Sequence, residues 1–244
     1  QAWLDHKVLV FRDQHISTPE HIAFGALFGD LEIHPFAENL EAHPEVIVLE
    51  AGGDSPRQTY NAAKDWHIDV SFREKPPMGS ILRGKVIPET GGDTCFSSSS
   101  AAYEKLDPNV KDRVDELLAV NDYTKMFGPG TRFNDDDSHV ENIKKYPPVL
   151  HPVIRTHPET GGRSIFTNNF FTSHIDGVDA DESQYLLEQL AEAIGDSSVQ
   201  FRVKWETETF VMWDNRCVHH VAMDDFLPLY RRMERVTIAG DRPF

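Results

Sequence analysis

The sequence predicts a single, mainly β domain of jelly-roll type with flanking helices. Three observations predict it. Short apolar or alternating runs recur along the chain between clusters of turn residues, only a few amphipathic helical stretches are interposed, and neither an internal repeat nor a linker interrupts the 244 residues.

In chain order, residues 7–11 read as a strand. Ser17-Thr18-Pro19-Glu20 is a capping box with proline in the first turn, and it starts an amphipathic helix ending near Gly29. Residues 46–49 form a buried strand, and a polar loop over 52–64 then delivers the chain to Trp66-His67. Residues 81–87 are a further strand, and the turn over 88–93 leads into Thr94-Cys95-Phe96. Helical patterning covers 99–106 and again 107–120, with Asp107-Pro108 as a start signal. Residues 124–147 are polar and irregular, with Gly128-Pro129-Gly130 and Asp135-Asp136-Asp137; so long a stretch inside a domain predicts a lid-like insertion, with plain disorder the alternative. Strands follow over 149–156 and 164–167, and Asp179, with Glu182 three residues on, caps a helix ended by Gly195. Val199, Phe201, Val203 and Trp205 alternate with polar residues as a half-buried strand, and 209–213 and 233–239 complete the set.

Acidic residues outnumber basic ones by 40 to 24, for a formal net charge of −16. This argues against nucleic acid and anionic membranes as partners, since both recruit Lys and Arg, but leaves small anionic substrates open because a pocket can be locally basic. The two cysteines, Cys95 and Cys217, form no disulfide framework and no CxxC pair, as expected of a cytoplasmic protein. No run of 18 apolar residues is present, so no transmembrane helix is expected. Gln1 leads straight into Trp3-Leu4 without a signal peptide. That abrupt start suggests a single domain over residues 1–244 that is trimmed at one or both ends.

Chemistry concentrates in His67-Ile68-Asp69 and in the pair His219-His220 about 150 residues later. In an extended strand, residues i and i+2 project from one face, so His67 and Asp69 can address one metal ion. A third ligand from a distant strand would complete two histidines and a carboxylate, the face-capping set typical of non-haem Fe(II) oxygenases. The triplet alone is weak evidence, because a lone strand histidine is more often a satisfied core or surface residue. If the His219-His220 segment is extended, only one of the two can reach the metal.

The surrounding blocks carry more. Trp66-His67-Ile68-Asp69-Val70-Ser71-Phe72, then Pro76-Pro77 and Gly91-Gly92-Asp93-Thr94, resemble the taurine and 2,4-dichlorophenoxyacetate dioxygenase family. So do His151-Pro152-Val153-Ile154-Arg155-Thr156-His157-Pro158-Glu159-Thr160-Gly161 and Trp213-Asp214-Asn215-Arg216-Cys217-Val218-His219-His220 with Arg231 and Arg235. The resemblance implies a double-stranded β-helix (jelly-roll, cupin-like) core, Fe(II), 2-oxoglutarate as co-substrate, O2, and a dimer or tetramer. His67, Asp69 and His220 match the family's iron ligands, with His219 the competing assignment. Thr94 and Arg231 match the residues that hold the distal carboxylate of 2-oxoglutarate, where a planar guanidinium fork suits a carboxylate. Arg235 and His34 match the residues that bind the acidic group of the prime substrate. For Arg235 the plainer reading is a structural salt bridge, and Trp66, Trp213 and Cys217 read as packing. The taurine enzyme carries Tyr and Asn where this chain has Ala37 and Ala63, so the resemblance favours a bulkier or more apolar anion over taurine.

The expected activity is therefore Fe(II)- and 2-oxoglutarate-dependent hydroxylation of a small sulfonate, sulfate ester, carboxylate or phosphonate. Two other readings remain at this point. A Zn2+ hydrolase could use the same ligands with an activated water, but leaves Arg231 and Thr94 without a task. A non-catalytic jelly-roll binding protein would keep the shape without the reaction.

Overall fold

The structure is a computed structural model, and it describes residues 1–34, 39–54, 65–128 and 138–244. A short helix α1 (Ala2–His6) turns into strand β1 (Val8–Phe11), followed by α2 (Thr18–Ala26), β2 (Asn39–Leu40), β3 (His43–Ala51), β4 (Gly79–Val86) and β5 (Thr94–Ser98). Helices α3 (Ser99–Lys105) and α4 (Pro108–Val114), strand β6 (Leu118–Asn121), helices α5 (Thr124–Phe127) and α6 (Ser138–Lys145), and strands β7 (Val149–Pro152), β8 (Ile154–Thr156), β9 (Arg163–Ile165) and β10 (Thr172–Ile175) come next. The chain finishes with α7 (Ala180–Gly195), β11 (Gln200–Val203), β12 (Phe210–Asp214), β13 (Val218–Ala222) and β14 (Arg231–Ile238).

Two antiparallel sheets face each other, as the jelly-roll expectation requires. The larger has the order β1-β12-β4-β14-β3-β2 and the smaller the order β11-β5-β13. Leu82, Val211, Trp213 and Met233 of the large sheet meet Phe96, Val203 and Val218 of the small one in a shared apolar core, joined by Trp205 and Cys217. The opposite face of the large sheet, with Val46, Ile81, Phe210, Met212 and Val236, is covered by Trp3, Ile22 and Phe24. Burial on both faces explains why β12 reads as an unbroken apolar run, Phe210-Val211-Met212-Trp213. A third sheet, β10-β6-β7, and the hairpin β8-β9 pack with α3, α4 and α7 into a separate core around Leu190 and Ile165.

The helix starts follow the sequence signals. Ser17 forms the capping box with Glu20, and the Asp179 carboxylate accepts from the Glu182 amide at 2.9 Å. Elsewhere tertiary pairing overrides local pattern. The helix expected over 107–120 stops at Val114, because Leu118–Asn121 is claimed as the central strand between β7 and β10. The strand expected over 149–156 is split at Val153, whose amide turns to the Leu117 carbonyl at 2.9 Å. Phe201 lies on the edge strand β11, where it stays 43% exposed while stacking on Phe96. Segment 124–147 contains helices α5 and α6 where an irregular insertion was expected, and Tyr123, Phe127 and Tyr146 pack edge-on around Phe72. Its residues 129–137 lie outside the described residues.

Two buried histidines give the fold a pH limit. His21 donates from Nε2 to the Ile81 carbonyl at 3.2 Å, and His151 donates to the Arg73 carbonyl at 2.9 Å. Burial pushes each imidazole down to about 4. An unfolded histidine takes up its proton near 6.5, so from there down to about pH 4 the unfolded state holds more protons than the folded one. Stability is therefore full above about pH 6.5 and falls as the pH drops toward 4. Urea midpoints measured across this window are expected to decline, and a flat profile would contradict the assignment.

Candidate metal centre

His67 and His220 meet across an isolated antiparallel bridge. The His67 amide donates to the His220 carbonyl at 3.1 Å, and the His220 amide returns the bond to the His67 carbonyl at 3.0 Å. Residues paired in this way project to the same side of the ladder, and the two imidazole centroids lie 4.2 Å apart. Asp69, two residues beyond His67, joins them: its oxygens lie 4.0 Å from His67 Nε2 and 3.8 Å from His220 Nε2. The three donor groups are buried and lie within 4.8 Å of one another.

This donor set fits a divalent metal ion. His67 Nδ1 donates to the Asp65 carbonyl at 2.9 Å, which leaves the Nε2 lone pair facing Asp69. Burial lowers the pKa of both imidazoles, with Asp69 partly opposing the shift. Burial works against ionisation of Asp69, but the Arg235 guanidinium against it outweighs this and holds the carboxyl well below the usual range. At neutral pH the site thus offers two neutral imidazoles and one carboxylate, the protonation states a metal requires.

His219 faces the other way. Its Nε2 donates to the Thr167 carbonyl at 2.8 Å, so Nδ1 accepts from the Ser99 hydroxyl at 2.8 Å. Both ring nitrogens are engaged away from Asp69, and burial lowers the pKa of this imidazole to about 4.

Arg235 lies against the candidate ligand Asp69. Its Nη1 donates to both Asp69 oxygens at 3.0 Å, and the Ser80 hydroxyl donates to Asp69 Oδ2 at 3.3 Å. The buried Nε of Arg235 makes no hydrogen bond among the described residues. His34, half-buried, is close enough that Arg235 and Asp69 both act on its charge, and its pKa falls to about 3, chiefly through burial. Ala37 and Ala63 lie outside the described residues.

Arg231 and Thr94 come together through Trp205. The indole N–H of Trp205 donates to Thr94 Oγ1 at 3.0 Å, and its ring lies 5.7 Å from the Arg231 guanidinium. Phe226 flanks that guanidinium at 5.8 Å, and Arg231 is fully buried. Gly92, at φ +74°, packs against the Arg231 stem; a Cβ there would meet Arg231 Cδ at 3.0 Å. Arg232 has the opposite parity and, half-buried itself, pairs with the buried Glu234 at 3.4 Å.

Several contributors escape motif reading. Phe170 stacks on the His67 ring at 4.6 Å, and Trp213, part of the two-sheet core, lies 4.8 Å from the His220 ring. Asn215 holds the Asp69 backbone through its side-chain amide. Trp213 and Asn215 stand inside the Trp-Asp-Asn-Arg block, whereas no motif covers Phe170. A second cluster, His157, Asp214 and Cys217, has its donors committed to the protein. His157 Nδ1 accepts from the Glu159 and Thr160 amides, its Nε2 donates to Asp214 at 3.0 Å, and Arg216 grips the same carboxylate through Nε and Nη2. That network is structural.

Comparison with known proteins extends these observations. The sequence profile of the taurine catabolism dioxygenase TauD, TfdA family matches residues 1–237. An alkylsulfatase of Acinetobacter baylyi is 35% identical over 246 residues, which cover 98% of this chain and 75% of the relative. An alpha-ketoglutarate-dependent sulfate ester dioxygenase of Pseudomonas putida is 32% identical, covering 99% of this chain and 80% of its own. Among solved structures, a taurine dioxygenase from Burkholderia xenovorans superimposes with a TM-score of 0.80 at 34% identity, over 97% of this chain and 77% of that one.

Proposed function

The chain belongs to the taurine catabolism dioxygenase TauD, TfdA family, and on that premise we propose that His67, Asp69 and His220 hold the Fe(II) of a 2-oxoglutarate-dependent dioxygenase acting on small anionic substrates. The observation that carries the assignment is the His67–His220 bridge, which sets both imidazoles on the face that Asp69 completes. When bound, Fe(II) and 2-oxoglutarate supply the oxidising chemistry, in which O2 and the keto acid yield succinate, CO2 and a hydroxylated substrate. The protein contributes position and charge. Arg231 and Thr94 take the distal carboxylate of 2-oxoglutarate, with the Trp205 and Phe226 rings shaping a slot for a planar anion. Arg235 keeps Nη1 on Asp69 and presents its Nε edge to the anionic group of the substrate, with His34 beside it. An anion held there places one C–H bond beside the ligand face, which is catalysis by positioning. Segment 124–147 serves as the cover: Phe127 and Tyr146 pack on Phe72, three residues beyond Asp69, where they exclude water.

Sulfonates, sulfate esters, carboxylates and phosphonates all satisfy one arginine and one histidine, and the prime substrate is drawn from these classes. The single domain covers residues 1–244, and a cytoplasmic homo-oligomer, dimer or tetramer, completes the reading. No helix among the described residues is long and apolar enough to cross a membrane.

The test is succinate formation from 2-oxoglutarate under air with Fe(II), stimulated by members of an anion panel. Turnover of the anion with Zn2+ alone, without O2 or 2-oxoglutarate, would instead establish the hydrolase.

A further inference from the structure

Asp69 is followed by Val70 at φ 50°. A β-branched side chain in the left-handed region is strained by about 1–3 kcal/mol and persists only where the surroundings enforce it. Among the described residues, the other non-glycine positions with positive φ are Lys7, Asp13 and Glu208, none of them β-branched or buried. Val70 is 5% exposed and packs with Phe72, Tyr123 and Phe171. Its carbonyl accepts from the Arg73 amide at 3.0 Å, so the chain reverses directly after the metal ligand.

Asn215 sits opposite that reversal, fully buried in the turn between β12 and β13. Its Oδ1 accepts from the Asp69 amide at 2.9 Å, and its Nδ2 donates to the Asp69 carbonyl at 3.2 Å and to the Pro77 carbonyl at 3.0 Å. The side-chain amide thus pairs with Asp69 as a neighbouring strand would. Asn215 is itself fixed: its amide donates to the Met78 carbonyl at 2.9 Å, and the preceding Asp214 is locked by Arg216 and His157. Five residues further along the same turn and strand, His220 bridges His67.

We propose that Asn215 is a positioning residue for the metal site, clamping the Asp69 peptide so that the strained Val70 turn aims the Asp69 carboxylate at the ion. One turn then sets all three ligands, two through the His67–His220 bridge and the third through Asn215. The proposal rests on Asp69 being a ligand.

Anaerobic Co(II) titration of the metal-free protein, followed by visible absorption, tests it alongside thermal unfolding. Wild type is expected to bind one Co(II) per chain; no binding would overturn the ligand assignment, and the clamp with it. Asn215→Ala is expected to lower Co(II) affinity by about 10- to 100-fold, the range for a residue that orients a ligand. Glycine adopts φ > 0 without strain, so Val70→Gly in the Asn215→Ala background is expected to return the affinity to within about fivefold of wild type. A merely structural asparagine would show no such rescue. Asn215→Ala that folds and binds Co(II) like wild type overturns the proposal, as does a loss that Val70→Gly leaves in place. If Asn215→Ala does not fold, the double variant alone decides: Co(II) affinity near wild type supports the clamp, and a protein that remains unfolded or without affinity refutes it.

Discussion

Replacing His220 with alanine is expected to weaken metal binding by more than about 100-fold, beyond the loss typical of residues that only orient a ligand, and to abolish 2-oxoglutarate turnover. Replacing its neighbour His219 is expected to leave metal binding nearly intact. The reason is the bridge: mutual backbone hydrogen bonds at 3.0 and 3.1 Å make His220 the direct cross-strand partner of His67, so both rings stand on the side of Asp69. One step along β13, His219 projects to the opposite face and spends both nitrogens on Ser99 and Thr167. His219→Ala therefore costs stability, about 1–3 kcal/mol for buried partners left unsatisfied, and is expected to appear as a lower urea midpoint. Metal titrations and unfolding curves on the two variants separate the roles. The reverse pattern, with His219 needed for metal and His220 dispensable, would refute the site.

The second large effect concerns Arg235. Arg235→Ala is expected to raise the substrate KM by about 30-fold or more, from the 2–5 kcal/mol that accompanies loss of one partner in a buried charge pair, and to change the 2-oxoglutarate KM far less. The competing role is a structural ion pair, and the Nη1 contacts to both Asp69 oxygens give that role real geometry. The two readings separate cleanly. A residue serving only Asp69 acts through the metal, so its loss would move metal affinity and both KM values together. A residue that holds Asp69 and also takes the substrate anion on its remaining edge moves the substrate KM far more than the 2-oxoglutarate KM. Equal effects on both substrates would remove the anion-binding role. Arg235→Lys preserves the charge but not the planar fork, and is expected to recover only part of the loss.

Much of this site was legible from spacing. His67 and Asp69 differ by two residues, and Arg231 and Arg235 by four, so strand parity alone puts each pair on one face. In the structure all four are buried, with Arg235 on Asp69. Helix caps were equally legible, because Ser17 and Asp179 act on amides three residues away. Residues 107–120 were misread as one helix because Leu117-Leu118-Ala119-Val120 suits helix or strand alike. The choice was made by β7 and β10, which pair with β6 from distant parts of the chain. The aromatic packing of Tyr123 and Tyr146 on Phe72 was hidden for the same reason.

From the sequence by itself came the ligand types, their local spacing and the block order that resembles a dioxygenase family. The assignment of His220 over His219 could be drawn from that resemblance, but its physical cause is the register of β13 against residue 67. The same holds for the Asn215 contact with Asp69, the left-handed Val70 and the Trp205 link between Thr94 and Arg231. Periodicity reports which face of one strand a side chain occupies. It carries nothing about where a second segment, 150 or so residues away, comes to rest against the first; that is set by tertiary packing, and the candidate metal centre forms only where residue 67 meets β13.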